Sequence, residues 1–205
     1  MSDFTTFVLD QLPPPPRRVL EVGCGREGGI VAALLGAGYD VLGVDPAAPE
    51  APGYRQARFQ DVDGDWDAVV AGRVLHHVHP LDAGIAHLAA LAPLLVVDEF
   101  SCDLIDADAQ DWYEAQHRML RAAGADPPGP ASLDDWRAHH PDLHPHGVLL
   151  DTLRAHYDER SFEWVPYLHR WLGGPSSEAL EGTLVGAGAF PAIGYRWAGV
   201  RRQQT

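Results

Sequence analysis

The sequence predicts an α/β fold built on a doubly wound parallel sheet, and three observations predict it. Short apolar runs alternate with helix-period segments from Val19 onward, the pattern that crossovers between parallel strands require. A glycine turn, Gly23-Cys24-Gly25, follows the first run directly. The runs are also valine-rich and nearly unbroken, as in strands buried on both faces.

Each element has a local reason. Asp3 to Leu12 reads as an amphipathic helix with Phe4, Phe7, Val8 and Leu12 on one face, stopped by Pro13 to Pro16, a stiff spacer. Val19 to Val22 is the first strand, Ile30 to Leu35 the core of the first crossover helix, and Val41 to Val44 the second strand. Arg55 to Phe59 is the third strand and Trp66 to Ala71 the fourth. A helix over Asp82 to Leu91 leads to the fifth, Leu94 to Val97, which ends in Asp98-Glu99. Residues 101–160 then carry helical periodicity, several tryptophans and proline-rich joints at 126–130 and 141–145, and are expected to form a helical lid insertion. Strand character returns at Ser161 to Leu168, a helix is expected from Ser176 to Val185, and Ile193 to Val200 closes the chain. The last two strands are expected as an edge pair, giving seven strands with the last antiparallel. Residues 1–16, 17–100, 101–160 and 161–205 are thus read as parts of one domain, a size that supports a real core.

Composition narrows the function classes. The chain contains no lysine and carries a formal net charge of -14. Nucleic-acid affinity rests on clustered cations, so a nucleic-acid partner is not expected. Two cysteines, Cys24 and Cys102, do not make a disulfide scaffold, and a reducing cytoplasm is the expected setting. No apolar stretch is long enough to cross a bilayer, so no membrane partner is expected, and no oligomeric state is implied.

The site signal is Glu21-Val22-Gly23-Cys24-Gly25. A carboxylate on a central strand is costly to bury alone, by several kcal/mol in general, so something polar is expected to meet it. A nucleoside-bearing ligand over the strand end fits, its hydroxyls met by Asp45 at the next strand's tip. Gly23-Cys24-Gly25-Arg26-Glu27-Gly28 also satisfies the dinucleotide fingerprint. Against a dinucleotide stand Glu21 and Glu27, which would repel a pyrophosphate at the helix N-terminus, and the absence of lysine, which removes the Tyr-x-x-x-Lys pair of small dehydrogenases. An NAD-dependent oxidoreductase and a cofactor-binding, non-catalytic domain remain as alternatives.

Val19-Leu20-Glu21-Val22-Gly23-Cys24-Gly25, then Val44-Asp45, then Trp66 to Val78 with its Leu75-His76-His77, resembles the class I S-adenosylmethionine-dependent methyltransferases, most closely the small-molecule branch with a Leu-His-His motif. The resemblance covers about residues 17–100. It implies a Rossmann-like fold, S-adenosylmethionine as cofactor, and methyl transfer to an oxygen or nitrogen of a small-molecule acceptor. It further implies that Gly23 and Gly25 let backbone approach the methionine part, that Glu21 orients that region, and that Asp45 accepts from both ribose hydroxyls. Asp61 and Val62 would receive the adenine, while Ala71, Gly72 and Leu75 would line the sulfonium side. Glu27 departs from the family pattern, where a third small residue is common.

No catalytic residue is marked. His76, His77, His140 and His144 are candidate acid-base groups, more readily wall or capping residues. Trp112, His140, His144 and Trp171 are candidates for the acceptor pocket, with the insert's own core as the competing reading of the tryptophans. In His139-His140-Pro141-Asp142-Leu143-His144-Pro145-His146 the prolines favour a kinked loop over a helical ligand pair, and no metal is expected.

Overall fold

The computed structural model describes residues 3–173 and 175–203. Asp3 caps the first helix, α1 (Phe4–Gln11), by accepting from the Thr6 N–H at 2.7 Å. Phe7 and Val8 are its buried face, and Pro13 follows where the helix stops.

Seven strands follow: β1 (Arg18–Val22), β2 (Asp40–Val44), β3 (Tyr54–Arg55), β4 (Ala68–Gly72), β5 (Leu94–Phe100), β6 (Tyr157–Val165) and β7 (Gly194–Arg201). They form one sheet in the order β3-β2-β1-β4-β5-β7-β6. β1 pairs in parallel with β2 and β4, which sets Glu21 opposite Gly43 on one side and Val70 on the other. The strand order reverses between β1 and β4, so the crevice where such sheets take ligands lies at the carboxyl ends of these strands. β7 runs against β5: the Arg201 N–H donates to Pro93 O at 2.7 Å, and the Ser101 N–H to Ile193 O at 2.8 Å. The last strand is therefore antiparallel, as the sequence predicts.

The helices are α2 (Val31–Gly36) after β1, α3 (Leu81–Leu91) after β4, and α4 (Ala107–Ala122), α5 (Leu133–His139) and α6 (His146–His156) after β5. α7 (His169–Leu172) and α8 (Pro175–Gly186) lie between β6 and β7. Two expectations shift. β3 is only two residues long, and the stretch expected to extend it becomes a 3-10 turn, Phe59–Asp61. Just past β3 the Gln56 side chain donates to Ala48 O at 2.8 Å. β6 starts four residues earlier than expected and ends at Val165, because Pro166 has no N–H for a ladder. The last two strands do form the terminal pair of the sheet, as expected, with β6 at the edge and β7 between it and β5.

The chain divides into two compact units. One comprises the residues up to Glu99, Gly147–Phe162 and the residues from Arg196; the other comprises Phe100–His146 and Glu163–Tyr195. The first has a core of strand valines against α1 and α2, including Val8, Val19, Val31, Leu34, Val70 and Val96. The second is packed around aromatic rings: Phe100 stacks on Tyr167 at 4.5 Å, and Trp171 lies 5.2 Å from Trp136. Among the described residues no helix is long and apolar enough to cross a membrane.

Candidate active site

The glycine turn is built by left-handed backbone. Gly23, Gly25, Gly28 and Gly29 have φ of 79°, 61°, 82° and 55°, conformations that glycine alone adopts freely. At Gly23 the fit is also steric, since an added Cβ would lie 2.7 Å from Val74 Cβ. At Gly25 nothing lies within 4 Å of that position, so the turn leaves open space there.

Glu21, only 2 % exposed, is met by its own chain. Both carboxylate oxygens accept from the Ile30 N–H at 3.0 Å, just ahead of α2, which has no cap from its own flanking side chain. The polar partner that the sequence demands is thus the helix N-terminus, and Glu21 ties β1 to the far end of the turn. Burial pushes its pKa up to about 7, opposed by the hydrogen bonds from the backbone of Ile30 and Val31 and by the Arg73 charge. Burial, followed by the charges of Glu21 and Asp45, pushes the Cys24 thiol up to about 12. The thiol stays protonated at neutral pH and is no nucleophile.

A cavity of about 300 Å³ opens beside this turn, lined by Gly23, Val44, Asp45, Pro46, residues 57–60, Val74 and residues 77–79. Asp45, half-buried at the tip of β2, uses Oδ1 to accept from the Ala47 N–H at 2.7 Å. Among the described residues its Oδ2 has no hydrogen-bond partner, which leaves an acceptor on the cavity wall. Phe59 supplies a buried apolar surface and Gln60 a polar side chain.

The structure brings together some of the sequence-predicted residues and not others. Gly23 and Asp45 line the cavity, and so does His77. Asp61 is exposed, and Val62, fully buried with its carbonyl 3.1 Å from His87 Nε2, lies outside the lining; Phe59 and Gln60 occupy that wall instead. Ala71 and Leu75 are fully buried in the strand-four end, and Gly72 is half-buried near Phe4. His76 is buried, its Nδ1 2.6 Å from Glu99 Oε2.

In the second unit, His140 sits at the end of α5 with Nδ1 2.8 Å from Trp136 O and its ring stacked on Trp136, while His144 is half-buried in the loop before α6. Trp112 packs against Phe190, and Trp171 belongs to the aromatic cluster. Among the described residues no group of His, Cys, Asp and Glu is arranged to hold a metal.

Buried charges that sequence reasoning did not assign complete the picture. Asp98, 1 % exposed, lies 3.6 Å from the buried Arg196 and 3.9 Å from Arg73. Arg73 itself is left-handed, with φ 55°, and its N–H donates to Asp98 O at 2.7 Å. Glu181 on α8 accepts from the N–H groups of Tyr167, Leu168 and His169. The signal that finds Asp98 and Glu99 is the one that marks Glu21: carboxylates at the end of an apolar strand.

The sequence profile of the family described as Methyltransferase domain matches residues 1–171. The chain belongs to this family. It is an S-adenosylmethionine-dependent methyltransferase. No curated protein matches the sequence, but solved structures share the methyltransferase's fold. A putative S-adenosylmethionine-dependent methyltransferase from Listeria monocytogenes is 13% identical with a TM-score of 0.59, covering 97% of this chain and 96% of its own. Magnesium protoporphyrin IX methyltransferase from Synechocystis, with bound S-adenosylhomocysteine, is 17% identical with a TM-score of 0.56, over 97% and 80%. Geranyl diphosphate C-methyltransferase from Streptomyces coelicolor, in complex with Mg2+, geranyl diphosphate and S-adenosylhomocysteine, is 14% identical with a TM-score of 0.58, over 97% and 78%.

Proposed function

We propose that the cavity beside the glycine turn holds the nucleoside of S-adenosylmethionine, and that the enzyme methylates an oxygen or nitrogen of a small molecule. The observation that carries the cofactor placement is Asp45: a half-buried carboxylate at the tip of β2, with Oδ2 turned to no protein donor among the described residues, on the wall of a cavity of about 300 Å³. Ribose hydroxyls are donors of the kind it lacks. The remaining walls suit the rest of the group. Val44, Phe59, Val74 and Val78 offer apolar faces to a base, and the open space at Gly25 admits a chain where a side chain would stand. Glu21 contributes by fixing the turn through Ile30.

When bound, S-adenosylmethionine supplies a methyl group already activated on a positively charged sulfur, so the protein's task is chiefly to position the acceptor, worth about 7–11 kcal/mol in favourable cases. No general base is required for a neutral amine acceptor. His77 is assigned to the cavity wall and His76 to support of that wall. Half-buried Trp112, His140, His144 and Trp171 are proposed to select the acceptor, and the helices of residues 101–160 to serve as a lid.

The small-molecule acceptor rests on the net charge of -14 without lysine, which disfavours nucleic acid, and on the small substrates named for two of the structural relatives. The proposed setting is a reducing cytoplasm, in keeping with two free cysteines. Calorimetric titration with S-adenosylhomocysteine tests the reading. Wild type is expected to bind, and Asp45→Ala to bind at least tenfold more weakly with its fold intact. Heat with NAD and none with S-adenosylhomocysteine would replace this reading with the dinucleotide one.

A further inference from the structure

We propose that Glu99, a residue outside the cavity, is a positioning residue for cofactor binding: it holds the turn that forms one wall of the cavity. The inference rests on the reading of that cavity as the cofactor's. Glu99 is fully buried at the end of β5. The 3-10 turn Leu75–His77 follows Val74, which makes no side-chain cap, so its first N–H groups need an outside acceptor. Glu99 provides it. Oε1 accepts from the Leu75 N–H at 2.6 Å and lies 3.4 Å from the His76 N, while Oε2 meets His76 Nδ1 at 2.6 Å. One carboxylate therefore fixes both the backbone and the imidazole of the turn.

The consequences reach the cavity by two routes. His76 packs against His77 with ring centroids 4.2 Å apart, and His77 lines the cavity. On the other side of the turn, Val74 also lines the cavity and stands so close to Gly23 that no Cβ fits between them. Val78 and His79 continue the same wall. A shift of the turn would displace four lining residues together and loosen the contact that seats Gly23. Buried charge is costly unless every partner is in place, and here those partners are the groups that shape the wall.

The test is calorimetric titration with S-adenosylhomocysteine at a temperature where every variant is folded. Glu99→Gln removes one of the two acceptor oxygens and is expected to raise Kd about tenfold. His76→Phe removes the ring donor and is expected to do the same, whereas His76→Asn, whose amide N–H can replace Nδ1–H, is expected to stay within about threefold of wild type. Glu181→Gln is the control: an equally buried carboxylate that organises a turn in the second unit, expected to lower Tm and leave Kd unchanged. Wild-type affinity in folded Glu99→Gln and His76→Phe would overturn the inference while leaving the cofactor site standing. Equal losses in Glu181→Gln would overturn it too, because the effect would then be general destabilisation. If Glu99→Gln does not fold, the contrast between His76→Phe and His76→Asn decides. Absence of heat with wild type would remove the cofactor reading and the inference together.

Discussion

Replacing Glu21 with glutamine should change how stability depends on pH more than how large it is. The carboxylate is buried and its pKa is raised from 4.5 to about 7. A folded state that holds this proton more tightly than the unfolded chain gains stability that is fully present below 4.5 and is lost as pH rises through about 7. At about 1.4 kcal/mol per tenfold change in proton affinity, the interval corresponds to about 3 kcal/mol. Glutamine keeps an oxygen for the Ile30 N–H and has no proton to lose. Urea unfolding of wild type and Glu21→Gln, compared at several pH values between about 4.5 and 8, cancels the titration of all other groups. The stability of Glu21→Gln relative to wild type should rise by about 3 kcal/mol from the acid to the alkaline end. A difference that stays constant across the range would refute the assignment of a buried, proton-binding carboxylate to the glycine turn.

Three further outcomes follow from the same geometry. Gly23→Ala places a methyl group 2.7 Å from Val74 Cβ at a φ of 79° and should cost about 2–4 kcal/mol in urea unfolding. Gly25→Ala, strained in φ but facing open space, should cost only about 1–2 kcal/mol while weakening S-adenosylhomocysteine binding more than its stability loss suggests. Arg196→Met strips the buried Asp98 of its nearest guanidinium, 3.6 Å away, and thermal unfolding should show a loss of about 3–5 kcal/mol, whereas Asp98→Asn/Arg196→Met together should recover part of it.

What can be read from the sequence is local and periodic. β1, β2, β4 and β5 fall where apolar runs mark them, because strands buried on both faces leave a continuous signal. The glycine turn is legible for a related reason: glycine is the residue that adopts left-handed backbone at little cost. β6 is harder to read. Its first half, Tyr157-Asp158-Glu159-Arg160, is polar because an edge strand faces solvent on one side, and that polarity merges with the helical pattern before it. The position of β7 between β5 and β6 depends on pairings across the chain that no local pattern encodes.

The site divides in the same way. Glu21, Gly23 and Asp45 can be found by spacing, and Asp45 and Gly23 do share a cavity. The sequence shows that Glu21 needs a partner, but the partner is Ile30, nine residues on, and a backbone N–H leaves no mark in a sequence. Asp61 and Val62 are expected to receive the adenine; with β3 short and a 3-10 turn after it, the residues of this stretch that line the cavity include Phe59 and Gln60, their immediate neighbours. Glu99 and Asp98 are visible as carboxylates ending a strand. Their partners His76 and Arg196 lie far along the chain, so their roles emerge only once the strands are assembled.

A crystal structure of the protein soaked with S-adenosylhomocysteine is the decisive test of where the cofactor sits. The nucleoside is expected in the cavity beside the glycine turn, with ribose hydroxyls within hydrogen-bond distance of Asp45 Oδ2 and the base against Phe59. Density for the ligand elsewhere on the molecule, with Asp45 facing only solvent, would contradict it.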